Sequence, residues 1–115
     1  MKLYGIPNCG TVKKARVWLD EHGVNYEFHD FRKQGVGEVL ISGWLKQTGW
    51  QKLLKKTGPT WGRLPDAVKA SIKDEASALA LMLEKPNVIK RPVLEREGKV
   101  LATGFNETDY ENLSL

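Results

Sequence analysis

The sequence predicts an α/β fold in which a β-α-β unit and a β-β-α unit share one mixed sheet, with a helical segment inserted between them. Three observations carry this reading. Before residue 30 the apolar residues switch from strand-like alternation to helical spacing and back. From about residue 36 to 88 the patterns are helix-compatible and interrupted mainly by Gly and Pro. Near the end, Glu97-Gly98 separates two apolar runs, which is a hairpin signal.

Taken in order, Lys2 to Ile6 is a short strand ended by Pro7 and Asn8. From Thr11 onward Val12, Ala15, Trp18, Leu19 and His22 share one helical face, and Gly23 stops the helix. Val24, Tyr26 and Phe28 alternate with Asn25, Glu27 and His29, as in a half-buried strand. A β-α-β order favours a parallel pair with a right-handed crossover. Helical patterns then cover Val39 to Thr48, Trp50 to Lys56, Leu64 to Lys73 and Asp74 to Lys85. Pro65 suits a first helical turn, and Pro86 a stop. Val93 to Arg96 and Val100 to Thr103 are the hairpin strands, and Asn106 caps a last helix through Leu113. Two such units on one sheet make a thioredoxin-like arrangement: one domain over residues 1–115, with a helical insert at about 36–88.

The composition, 41% hydrophobic and 28% charged, is that of a folded soluble protein. No apolar run approaches the ~20 residues that span a bilayer. Gly5, Pro7 and Asn8 break the early hydrophobic run a signal peptide needs, so cytoplasm is the expected compartment. The net charge of +4 comes without any block of like charges, which reads as a solvated surface. No aromatic-basic interleaving argues for nucleic acid. His22 and His29 lack metal-ligand spacing, so no metal site and no tightly bound cofactor are expected. Trp18, Trp44, Trp50 and Trp61 read as packing residues.

Cys9 is the single cysteine, and it falls at the seam between the first strand and the first helix. There the exposed N–H groups and the helix dipole stabilise an anion. The thiolate is the nucleophilic form, so this position favours reactivity. Lys13 and Lys14 add positive potential, and Tyr4 and Asn8 line the pocket in this reading. A buried structural cysteine is the competing reading; the neighbours Pro7, Asn8 and Gly10 argue against it. Far along the chain, Arg91-Pro92 directly precedes the third strand. Proline cannot donate to a sheet ladder, which suits a strand's first residue, and an X-Pro bond can be cis. Arg91 reads either as a surface arginine or as an anion clamp facing Cys9, since its fork matches carboxylates and oxyanions.

The stretches YGIPNCGTVKKARVWLDEHGVNYEFHDFRKQGV, GWQKLLKKTGPTW, LMLEKPNVIKRPVLE and GKVLATGF resemble the arsenate reductase-related (ArsC/Spx) family over nearly the whole chain. Within it the chain looks most like the small YffB-type branch. The resemblance implies a thioredoxin-like domain with a helical insert, a cis-proline at Pro92, Cys9 as nucleophile and Arg91 as an anion-binding residue. Arsenate reductases of this family place three arginines around the cysteine. Arg91 matches one; Lys55 stands at the second, with Arg63 as a partial substitute; Gly104 stands near the third. Spx-type regulators commonly carry a Cys-x-x-Cys switch, and the position three after Cys9 is Val12.

Without a second cysteine, any bond Cys9 forms must be resolved by an external thiol. Glutathione suits this role, because its carboxylates match Arg91 and the nearby lysines; a glutaredoxin or thioredoxin could also serve. The expected function is therefore a glutathione-using thiol reductase, with glutathione as co-substrate. The chain is expected to be a monomer that binds neither nucleic acid nor membrane. Two alternatives stand beside it: a genuine arsenate reductase using glutathione and glutaredoxin, and a non-catalytic Spx-like regulator binding a protein partner such as RNA polymerase.

Overall fold

The computed structural model describes residues 1–115 and divides into two compact units, Met1–Gly35 with Arg91–Leu115, and Val36–Lys90. In chain order the elements are β1 (Lys2–Gly5), α1 (Gly10–Glu21), β2 (Glu27–Asp30), α2 (Phe31–Gln34), α3 (Glu38–Thr48), α4 (Trp50–Leu53), α5 (Pro59–Gly62), α6 (Asp66–Ser71), α7 (Glu75–Glu84), β3 (Val93–Arg96), β4 (Lys99–Thr103) and α8 (Glu107–Asn112). A 3₁₀ turn covers Pro86–Val88. No helix is long and apolar enough to cross a membrane.

The first unit is built on a four-stranded sheet of order β2-β1-β3-β4. β1 is parallel to β2, with Leu3 opposite Phe28, and antiparallel to β3, with Leu3 opposite Leu94. β3 and β4 form the hairpin, with an irregularity between Leu94 and Glu95. Its turn residues Glu97 and Gly98 have φ of 50° and 80°, the positive values a type I′ connection requires. Leu3 and Leu94 point to one face of the sheet. There they pack with Ala15, Trp18 and Leu19 of α1 and Tyr110 of α8. Trp18 meets Tyr110 edge-on, with ring centroids 5.4 Å apart.

β2 is shorter at its start than the alternation of Val24 to His29 predicts. As an edge strand it pairs only with β1, whose first ladder residue, Lys2, stands opposite Glu27. Val24 to Tyr26 therefore have no strand to bond. Val24 and Tyr26 are instead half-buried against the core cluster. Asp30, the one buried charged residue, ends β2 and caps α2, which the sequence reading lacked; its Oδ1 accepts from the Arg32 N–H at 2.9 Å.

In the second unit Ile41, Trp44 and Leu45 of α3 are buried, as are Ala78, Leu81 and Met82 of α7. α4 stops at Leu53, short of the predicted Lys56, because Leu54 turns extended and forms an antiparallel bridge with Ile89. The Lys55 N–H donates to Val88 O and the Lys90 N–H to Leu53 O, both at 2.7 Å. Pro65 precedes α6 and does not open it, so the helix is shorter than Leu64 to Lys73. Asp74 and Ser77 form a capping box that starts α7.

Candidate active site

β1 runs into a tight loop, Ile6 to Cys9, whose Pro7 and Asn8 are exposed. Cys9 is the residue before α1, in extended conformation (φ −92°, ψ 125°) and half-buried. Its N–H donates to Ile6 O at 3.4 Å, and its carbonyl accepts from the Lys13 N–H at 2.9 Å. The side chain makes no tight capping hydrogen bond of the kind Ser or Asp makes. Its larger sulfur nevertheless feels the first-turn donors. Burial pushes the Cys9 thiol up, but the backbone N–H groups of Val12 and Thr11 and the charge and hydrogen bond of Arg91 bring it below its ordinary value. These first-turn N–H groups have no partner within the helix, so they are available to the sulfur.

Arg91 reaches Cys9 from the other chain segment of the same unit. Because β3 runs antiparallel to β1 with Val93 opposite Tyr4, residues just before Val93 flank residues just after Tyr4. The Arg91–Pro92 bond is cis. Pro92 is buried, and its carbonyl accepts from the Gly104 N–H at 2.8 Å, which ties the segment to the end of β4. Gly104 itself has φ of +74°.

Asn8 is exposed on the loop beside Cys9. Lys13 is exposed and lines a groove of about 390 Å³ with Lys14, Val17, Trp18, Glu21, Phe105 and Glu107. Among the predicted cations, Arg91 acts on the Cys9 sulfur through its charge and a hydrogen bond. Lys55 and Arg63 belong to the second unit, the former half-buried, the latter exposed at the end of α5. The Tyr4 hydroxyl donates to Glu95 Oε1 at 3.0 Å, and its ring lies 4.8 Å from that of His29. Thr11 and Val12 were missed as site residues, since they act through backbone N–H groups that any sequence would supply. Only their distance from a candidate N-cap residue could have flagged them.

A family model described as the ArsC family matches residues 4–113, a span that holds both Cys9 and Arg91. The chain belongs to the ArsC family. A solved YFFB protein is 45% identical, covers 97% of this chain and 96% of its own, and superposes with a TM-score of 0.90. An arsenate reductase (ArsC) related protein from Brucella melitensis is 46% identical with a TM-score of 0.79, covering 96% of this chain and 91% of its own. Among curated relatives, a Haemophilus influenzae protein is 41% identical over 95% of this chain and 94% of its own. The global transcriptional regulator Spx of Streptococcus agalactiae is 26% identical over 93% of this chain and 77% of its own. The fold is accordingly the α/β, thioredoxin-like fold of ArsC proteins, in a family that contains arsenate reductase-related proteins and regulators.

Proposed function

We propose that this ArsC-family protein is a thiol-dependent reductase in which Cys9 is the nucleophile and glutathione the resolving thiol. One observation carries the reading: Cys9 stands at the start of α1 under the first-turn N–H groups and the Arg91 guanidinium, which together lower its pKa. A depressed pKa keeps more of the thiol in its attacking form at neutral pH. Likeness to arsenate reductase-related proteins supports redox chemistry at this cysteine.

The chemistry balances with one protein thiol. The Cys9 thiolate attacks the glutathione sulfur of a mixed disulfide R–S–S–G. The S–S bond breaks, its electron pair leaves on R–S⁻, which takes a proton, and a Cys9–glutathione disulfide forms. A glutathione thiolate then attacks the glutathione sulfur of that bond, giving oxidised glutathione and returning the Cys9 thiolate. Overall, one disulfide R–S–S–G and one glutathione become one thiol R–SH and oxidised glutathione. Arg91 holds anionic charge beside the reacting sulfur, and Asn8 and Lys13 flank the approach of an anionic substrate.

The test is turnover of a small glutathione mixed disulfide, with glutathione reductase and NADPH reporting the oxidised glutathione produced. Cys9→Ser is expected to abolish turnover and Arg91→Ala to lower it. Turnover that survives Cys9→Ser would overturn the proposal.

A further inference from the structure

Gly5, the last residue of β1, is buried beneath α1. A Cβ placed on it would stand 2.8 Å from Val12 Cγ2 and 3.4 Å from Val12 Cγ1. The backbone at Gly5 is not left-handed, in contrast with Gly104, so what matters at Gly5 is space and not conformation. Val12 cannot readily yield that space. It is fully buried, and its β-branched side chain is stiff at χ1 within a helix. Val12 is also one of the two residues whose backbone N–H acts on the Cys9 sulfur. A single residue thus touches the strand with its side chain and the thiol with its main chain.

We propose that Gly5 is a positioning residue for the Cys9 thiolate: by lacking a side chain it lets Val12 seat against β1 and so aims the first-turn N–H groups at the sulfur. A methyl at position 5 lifts the first turn of α1 away from β1, while Cys9 stays tied by its N–H to Ile6 O at the strand's end. Donors and sulfur then move relative to each other. The thiolate loses stabilisation, although no group that touches it has been changed. This rests on the reading of Cys9 as an activated thiolate, but its readout is the titration of the thiol and not turnover, so the two can fail separately. A wild-type thiol that titrates like free cysteine defeats the activated-thiolate reading before any variant is made.

The experiment measures the rate of Cys9 alkylation by iodoacetamide against pH in the full chain. Gly5→Ala is expected to move the inflection upward. At pH values below the inflection, alkylation should slow about threefold for every half a pH unit by which the inflection rises, with no loss well above it. Gly5→Ala combined with Val12→Ala removes the methyls that the new Cβ meets, and should return the inflection toward its original position. A general loosening of the fold would not be reversed by a second truncation. Should Gly5→Ala fail to fold, Val12→Ile presses the same contact from the helix side with Gly5 kept, and must raise the inflection likewise. A folded Gly5→Ala or Val12→Ile protein with an unmoved inflection would overturn the proposal, as would a Gly5→Ala effect that Val12→Ala leaves in place.

Discussion

The Arg91 guanidinium donates a hydrogen bond to the Cys9 thiol, joining the residue two before β3 to the residue before α1. The two belong to different chain segments of the first unit, and the antiparallel pairing of Tyr4 with Val93 makes them neighbours.

The thiolate is expected to persist to lower pH than that of a free cysteine. Cys9 is an acid whose folded pKa is depressed, so alkylation against pH should show its inflection below the usual value of about 8.5. Arg91→Ala removes both the charge and the hydrogen bond and should raise the inflection. Arg91→Lys keeps the charge without the fork and should fall between. An Arg91→Ala profile that overlays the wild type would show that the guanidinium does not act on the sulfur.

Oxidised glutathione should add at one position, Cys9, and excess reduced glutathione should remove it. Intact-protein mass spectrometry reads both steps. Arg91→Ala is expected to slow the addition more than Arg96→Ala, because Arg96 is exposed beside the hairpin turn. Equal slowing would point to general charge attraction.

Arsenate turnover should be absent or weak, even with glutathione and glutaredoxin supplied. Arsenate and thiolate repel each other, and removing one preorganised donor typically costs about 10²–10³ in rate. Position 104 holds no cation, and its φ of +74° explains why one cannot simply be added. Gly104→Ala should destabilise the fold by about 1–3 kcal/mol, and Gly104→Arg by at least as much, without a gain in arsenate turnover. Thermal melts and arsenate assays check both. Robust turnover by the unaltered protein, lost in Cys9→Ser, would contradict this.

The protein should lose stability at alkaline pH through two tyrosines. Burial, then the hydrogen bond and charge of Glu95, push Tyr4 up; burial alone pushes Tyr110 up. For an acid raised on folding, the stabilisation is complete below its unfolded value of about 10 and is lost as pH rises through the folded value. Urea unfolding above pH 10 should show this decline, and Tyr4→Phe or Tyr110→Phe should each flatten it. At neutral pH the two should differ. Tyr4→Phe loses the bond to Glu95 and about 1–2 kcal/mol, whereas the Tyr110 hydroxyl has no protein partner and its removal should change stability by less than about 1 kcal/mol.

Short-range physics makes part of this protein legible in its residues alone. The apolar spacing of Val12, Ala15, Trp18 and Leu19 specifies the buried face of α1, Glu97-Gly98 supplies a hairpin turn, and Cys9 falls at a helix start whatever surrounds it. The tertiary structure decided what depends on partners distant in the chain. β2 begins at Glu27 because β1 offers no earlier ladder residue, and α4 ends at Leu53 because Ile89 bridges Leu54. Arg91 could be read as an arginine that suits an anion, but its contact with Cys9 required the register of β3 on β1. Gly5 carried no local signal at all. Its backbone is ordinary, and the space it leaves has meaning only once Val12 is packed against it. Periodicity and capping act within a few residues and are written there. Register, strand ends and close approach arise between segments, and only the folded chain brings those segments together.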